Sequence, residues 1–153
     1  MKGRLQGLEE QEVIEALAAG WGLQVSRIRY VPVGGGSYHW VAVEAAGGPY
    51  FITVDDLRQK GWLGATPEAA FEGLRSAFDT ALALRHRGGL EFVVAPVPGS
   101  RGATTRRIGK HFALAVYPLI DGSAGSFGEA GTTDERDELV RMLVALHQAT
   151  PFA

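Results

Sequence analysis

Val31-Pro-Val-Gly-Gly-Gly-Ser-Tyr-His-Trp40, continuing through Val41-Ala-Val-Glu44, Gly47-Gly48-Pro49 and Tyr50-Phe-Ile-Thr-Val-Asp-Asp-Leu57, decides the reading of this chain. A glycine-rich bend separates two extended runs, and a short Gly-containing loop folds the second run onto a third. Residues 40–45 and 50–55 are therefore predicted to be antiparallel neighbours. Without a Cβ, Gly34, Gly35 and Gly36 let backbone N–H groups, with Ser37, approach an anion as closely as a phosphate demands. A plain turn between strands is the alternative. Before the bend, Leu23, Val25, Ile28, Tyr30 and Val33 predict a first strand over residues 27–33, which Pro32 confines to an edge or to the start of the bend. Earlier still, Val13, Ile14 and Leu17 repeat at helical spacing over residues 9–19, and Gly20 stands where a left-handed cap is expected.

After the third run, Thr66 offers an N-cap, Pro67 suits the first helical position and Glu68 complements the helix dipole. Phe71, Leu74, Phe78, Ala81 and Leu82 form the apolar stripe of a long helix that Gly88-Gly89 stops. Phe92-Val-Val94 reads as a strand ended by Pro96 and Pro98, with a loop through Gly99-Ser-Arg-Gly102. Phe112-Ala-Leu-Ala-Val-Tyr117 is an apolar run of strand length closed by Pro118, and it reads as a buried last strand. Residues 122–131 are rich in Gly and Ser, as a linker is. Thr132 and Glu135 then form a capping box for a final helix carrying Leu139, Met142, Leu143 and Leu146. The order is helix, three strands, long helix, two strands, linker, helix. It predicts an α+β fold with a mainly antiparallel five-stranded sheet and one long helix packed across it.

Composition narrows the function classes. The 153 residues are 46% hydrophobic and 21% charged, enough to bury the core of one domain. A net charge of −2 provides no basic face for nucleic acid or an anionic membrane. The absence of cysteine excludes disulfides and thiolate metal sites and fits a reducing cytoplasm. No secretion-signal h-region opens the chain and no run of apolar residues reaches membrane-spanning length, so a cytoplasmic protein is expected. Twenty-one glycines hint at a GC-rich bacterial source.

Taken together, the bend at 34–40, Tyr50-Phe-Ile-Thr-Val54, Gly89-Leu-Glu-Phe-Val-Val-Ala-Pro96 and Ala115-Val-Tyr-Pro-Leu-Ile-Asp-Gly122 resemble the N-terminal lobe of the aminoglycoside phosphotransferase family. Leu143-Val-Ala-Leu-His-Gln-Ala-Thr-Pro151 is similar to the helix that follows the hinge in those kinase-like enzymes. The resemblance implies a nucleotide-binding lobe over residues 1–121, a linker over 122–131 and, over 132–153, the helix that begins a C-terminal lobe. It implies ATP with Mg²⁺ as cofactor, the metal ligands and the catalytic loop lying in that second lobe. The chain alone is then expected not to turn over, and no residue of it is expected to be catalytic. A truncated chain, a broken gene and a natural half-kinase all fit, and the acceptor substrate is open.

By the same resemblance, Gly34, Gly35, Gly36 and Ser37 would cover the phosphates, while the carbonyl of Tyr117 and the amide of Leu119 would bond adenine on either side of Pro118. The family's phosphate-gripping lysine on the third strand falls at Thr53, which carries no charge, so another cation would have to substitute. Arg58 and Lys60 lie close by in sequence. The helix acid that would hold such a lysine is Asp79 or Glu72. Alternation puts Thr53 and Asp55 on one face, and Asp55-Asp56 is expected to be a solvated strand end. His39 has no partner at ligand spacing and is expected to pack within its strand. The competing reading is a non-catalytic interaction or regulatory domain that keeps this fold, with the last helix pairing two copies or docking on a second lobe.

Overall fold

In the computed structural model, which describes residues 7–122 and 131–152, helix α1 (Glu10–Trp21) is followed by strands β1 (Val25–Val31), β2 (Tyr38–Glu44) and β3 (Pro49–Asp56). A 3₁₀ turn (Leu57–Gln59) leads to helix α2 (Pro67–His86), strands β4 (Arg106–Ile108) and β5 (Phe112–Pro118), helix α3 (Thr133–Gln148) and a closing 3₁₀ turn (Thr150–Phe152). Five antiparallel strands lie in the order β1-β2-β3-β5-β4, which makes the fold α+β with a single sheet.

Alternation along the strands sorts side chains onto two faces. Trp40, Ala42, Ile52, Val54, Phe112, Leu114 and Val116 point to one face and pack with Val13 and Leu17 of α1. Trp40 also donates its indole N–H to Glu10 at 3.3 Å, tying α1 to β2. Behind the other face, Ala70 and Leu74 of α2 pack with Leu57 and Ala113. The start of α2 is as its sequence dictates: Thr66 Oγ1 accepts from the Ala69 amide at 3.2 Å, and Pro67 opens the first turn. The capping box of α3 also forms, Thr132 and Glu135 bonding to each other's backbone amides.

Several expectations are corrected. Helix α1 runs past Gly20, and the left-handed cap is Gly22 at φ +73°. The first strand is Val25–Val31, an edge strand of the sheet, and Pro32 lies just beyond it at the start of the bend. Residues 92–94 are not a strand. Arg85 donates to the carbonyls of Glu91 and Val93, and the Val93 amide turns back to the Leu90 carbonyl, which occupies the groups a sheet ladder would need. The remaining strand is β4, whose two arginines and three residues carry no extended signature. Most of the expected 122–131 linker lies outside the described residues. Among the described residues, no helix is long and apolar enough to cross a membrane.

Candidate functional site

Phe51, Thr53 and Asp55 alternate onto the face of β3 away from α1, opposite Tyr117, Ala115 and Ala113 of β5 and, at position 53, opposite His39 of β2. Where α2 leaves this face uncovered, Phe51, Thr53, Val94, Tyr117, Pro118, Leu119 and Ile120 enclose a cleft of about 470 Å³. Its volume falls in the range of small-molecule sites, roughly 300–1,000 Å³, and its lining is mostly apolar. Phe78 of α2 meets the Tyr117 ring edge-to-face, centroids 6.1 Å apart, and so fixes the wall next to Pro118. Burial pushes the Tyr117 phenol well above its usual range, so it stays neutral.

The glycine bend reaches this cleft through His39. Gly34 has φ +71°, a conformation that L side chains rarely adopt, and a Cβ there would stand 3.4 Å from His39 Nε2. The His39 ring stacks on Phe51 at 5.0 Å, and its Nδ1 lies 3.3 Å from Thr53 Oγ1. Burial lowers the His39 pKa, with Asp55 opposing that shift, so the ring is held neutral near pH 7. His39 thus packs within the sheet as expected, while also joining the bend to the cleft wall.

At the end of β3 the expectation of solvated acids is overturned. Asp55 and Asp56 are 2% and 5% exposed. Asp56 takes a two-pronged contact from the Arg58 guanidinium at 2.9 and 2.8 Å, with further donors in the Arg58 amide and Gln59. Burial works to raise the Asp56 pKa, but the Arg58 bonds outweigh it and hold the carboxyl below its usual range. Asp55 pairs with Lys60 Nζ at 2.6 Å and accepts from Ser37 Oγ at 2.5 Å. Lys60 further donates to the Gly36 carbonyl at 2.7 Å and to Ser37 Oγ at 3.3 Å. The physical reason is register: the turn after Asp56 brings the Lys60 ammonium back beneath the bend, so the charges compensate one another out of water.

Of the residues singled out from sequence, Thr53, Tyr117 and Leu119 share the cleft, and Gly34, Gly36 and Ser37 connect to it through His39 and Asp55. Asp79 stands elsewhere, accepting from Thr104 Oγ1 at 2.6 Å, and Glu72 pairs with Arg75 on the exposed face of α2. Phe51, Val94 and Ile120 also line the cleft, beyond the residues expected from sequence. The signal for Phe51 is its position two residues from Thr53, on the same strand face. The described residues do not fit a Mg²⁺ site: Asp55 is engaged by Lys60 and Ser37, and no three His, Asp or Glu side chains converge.

No protein-family model matches the chain, and no curated protein does. Among solved structures, it is similar to spectinomycin phosphotransferase APH(9)-Ia in complex with ADP and spectinomycin, with a TM-score of 0.67 and 19% identity over 94% of this chain. An AMP-bound complex of the same enzyme matches with a TM-score of 0.59 at 18% identity over 91% of the chain. The amicoumacin kinase hAmiN, in complex with AMP-PNP, Ca²⁺ and Ami, matches with a TM-score of 0.53 at 17% identity over 78% of it. The chain spans 39%, 37% and 34% of the lengths of those three chains. The described residues thus have a kinase-like fold, that of part of an aminoglycoside phosphotransferase.

Proposed function

We propose that this chain is the nucleotide-binding lobe of an ATP-dependent small-molecule phosphotransferase. The observation that carries the reading is the apolar cleft between β3 and residues 117–120, with the glycine bend one side chain away. Adenine would lie against Phe51, Val94 and the Tyr117 ring, bonding the Tyr117 carbonyl and Leu119 amide. Pro118 between them contributes no N–H, and the Tyr117 carbonyl, opposite Phe51 in the β3–β5 ladder, would accept from adenine through its second lone pair. The phosphates would run toward Gly34, Gly35, Gly36 and Ser37. The nucleotide supplies the transferable phosphoryl group; these residues bind it, orient it and shield the base from water. Asp79, tied to Thr104, is no part of the contact.

Calorimetric titration with ATP, with and without Mg²⁺, tests the reading. Saturable binding that is lost in Leu119→Pro and weakened in Gly35→Val is expected. A Cβ at Gly35 meets nothing within 4 Å, so valine there obstructs a ligand rather than the fold. Absence of saturation at millimolar ATP contradicts it.

A second reading, an interaction domain retaining the fold, draws on α3. None of its residues is buried, and Leu139, Val140, Leu143 and Val144 are each about half exposed or more, at 56, 57, 49 and 49%. A dimer by light scattering would favour this reading; a monomer at high concentration would count against it.

A further inference from the structure

The cleft reading leaves one deficit, the missing positive charge at Thr53, and a buried lysine nearby has no role in it. We propose that Lys60 is the phosphate-binding cation of this lobe, supplied from the turn after β3 and held under the glycine bend by Asp55; the proposal rests on the nucleotide-binding reading above.

The Lys60 side chain is 8% exposed, and the ring of Trp62, itself largely exposed, lies 5.3 Å from its Nζ. An ammonium carries three N–H donors, and three acceptors meet them: Asp55 Oδ1, the Gly36 carbonyl and Ser37 Oγ. Two of those three belong to the bend itself, so the charge is positioned against the backbone that the phosphates would approach. A Cβ on Gly36 would sit 3.6 Å from Nζ, close enough that bend and ammonium form one surface.

The three contacts are unequal. Those to Asp55 and Gly36 are short, at 2.6 and 2.7 Å, while the one to Ser37 Oγ is 3.3 Å and correspondingly weak. A phosphate oxygen replacing the hydroxyl would gain a charge-assisted bond without disturbing the other two. The hydroxyl keeps its own bond to Asp55.

In the kinase scheme the lysine on the third strand is paired by an acid from the long helix, so the pair forms when helix and strand come together. Here the cation and its carboxylate both lie within β3 and the turn that follows it. Glu72 and Asp79 of α2 are engaged with Arg75 and Thr104. The cation–carboxylate pair therefore takes no partner from α2, although Leu57 of the same turn packs on Ala70 and Leu74.

The test compares ATP with adenosine, which has the base and sugar but no phosphate. The wild-type chain, Asp55→Asn/Lys60→Met, in which neither charge is left alone, and Asp55→Asn are each titrated with both. The double variant is expected to bind adenosine as wild type does and ATP about tenfold more weakly or worse. Asp55→Asn keeps the cation but removes the carboxylate that holds it, so its ATP affinity is expected to fall by less than in the double variant, with adenosine binding unchanged. An unchanged ATP affinity in the double variant, or equal losses for ATP and adenosine, would reduce Lys60 to a structural latch and overturn the proposal. If the double variant does not fold, Asp55→Asn decides: an unchanged ATP affinity, or equal losses for ATP and adenosine, overturns the proposal. Failure of the wild-type chain to bind even adenosine overturns the cleft reading itself, a result distinguishable from the others.

Discussion

On the α1 side of the sheet, Ile52, Val54, Leu114 and Val116 have no exposure at all, whereas one residue along the same strands Phe51, Thr53 and Tyr117 border an open cleft. The first face is apolar and close-packed, so its substitutions act on stability through lost contacts and cavities. The second carries His39 against Thr53, Asp55 against Lys60 and Ser37, and Tyr117, and its substitutions act through unpaired charge and through the ligand. Alternation with a period of two lets three strands serve both ends, and the sharpest division runs through β3.

The largest effect is expected where the second face is most buried. Lys60→Met leaves Asp55 without its partner in a site 2% exposed and should cost about 3–5 kcal/mol in denaturant unfolding. Asp55→Asn/Lys60→Met should recover most of that loss; if the double variant is no more stable than the single one, the pair is not what the site requires. On the opposite face, Ile52→Ala should cost about 2–5 kcal/mol by cavity formation, yet leave the affinity of the folded protein for ATP unchanged. A large affinity change there would break the division between the faces. Remote from both, Thr66→Ala removes the α2 cap and should cost about 1 kcal/mol, with no ligand effect.

The smallest effect concerns pH. His39 has a lowered pKa in the fold, so the unfolded chain binds the proton more readily. Its contribution is present above the unfolded value of about 6.5 and is lost as pH falls from there through the folded value. Unfolding followed between pH 7 and 5 should show this decline in the wild type and less of it in His39→Gln. Identical slopes would remove His39 from the account.

Local signals made much of this legible in the sequence. The bend, the hairpin and the capped start of α2 are each specified by glycine, proline and capping residues within a few positions, and they stand where the sequence predicts them. The alternation that puts Thr53 beside the cleft was equally readable. What escaped depends on partners distant in the fold or beyond the element in question. Residues 92–94 have strand-forming side chains, but their backbone is claimed by Arg85, and β4 gains its strand conformation from pairing with β5 rather than from its own composition. Asp55-Asp56 looks like a solvated end until the next turn returns Arg58 and Lys60 to it. Asp79 is well placed along α2 but faces Thr104 and the loop before β4.

The most direct test of the central claim is a crystal structure of the chain with a non-hydrolysable ATP analogue. Adenine is expected between Phe51 and Leu119, with the phosphates beneath Gly34, Gly35 and Gly36 and one phosphate oxygen on Lys60. A nucleotide bound elsewhere, or an adenine in the cleft with its phosphates directed away from the bend, would contradict it.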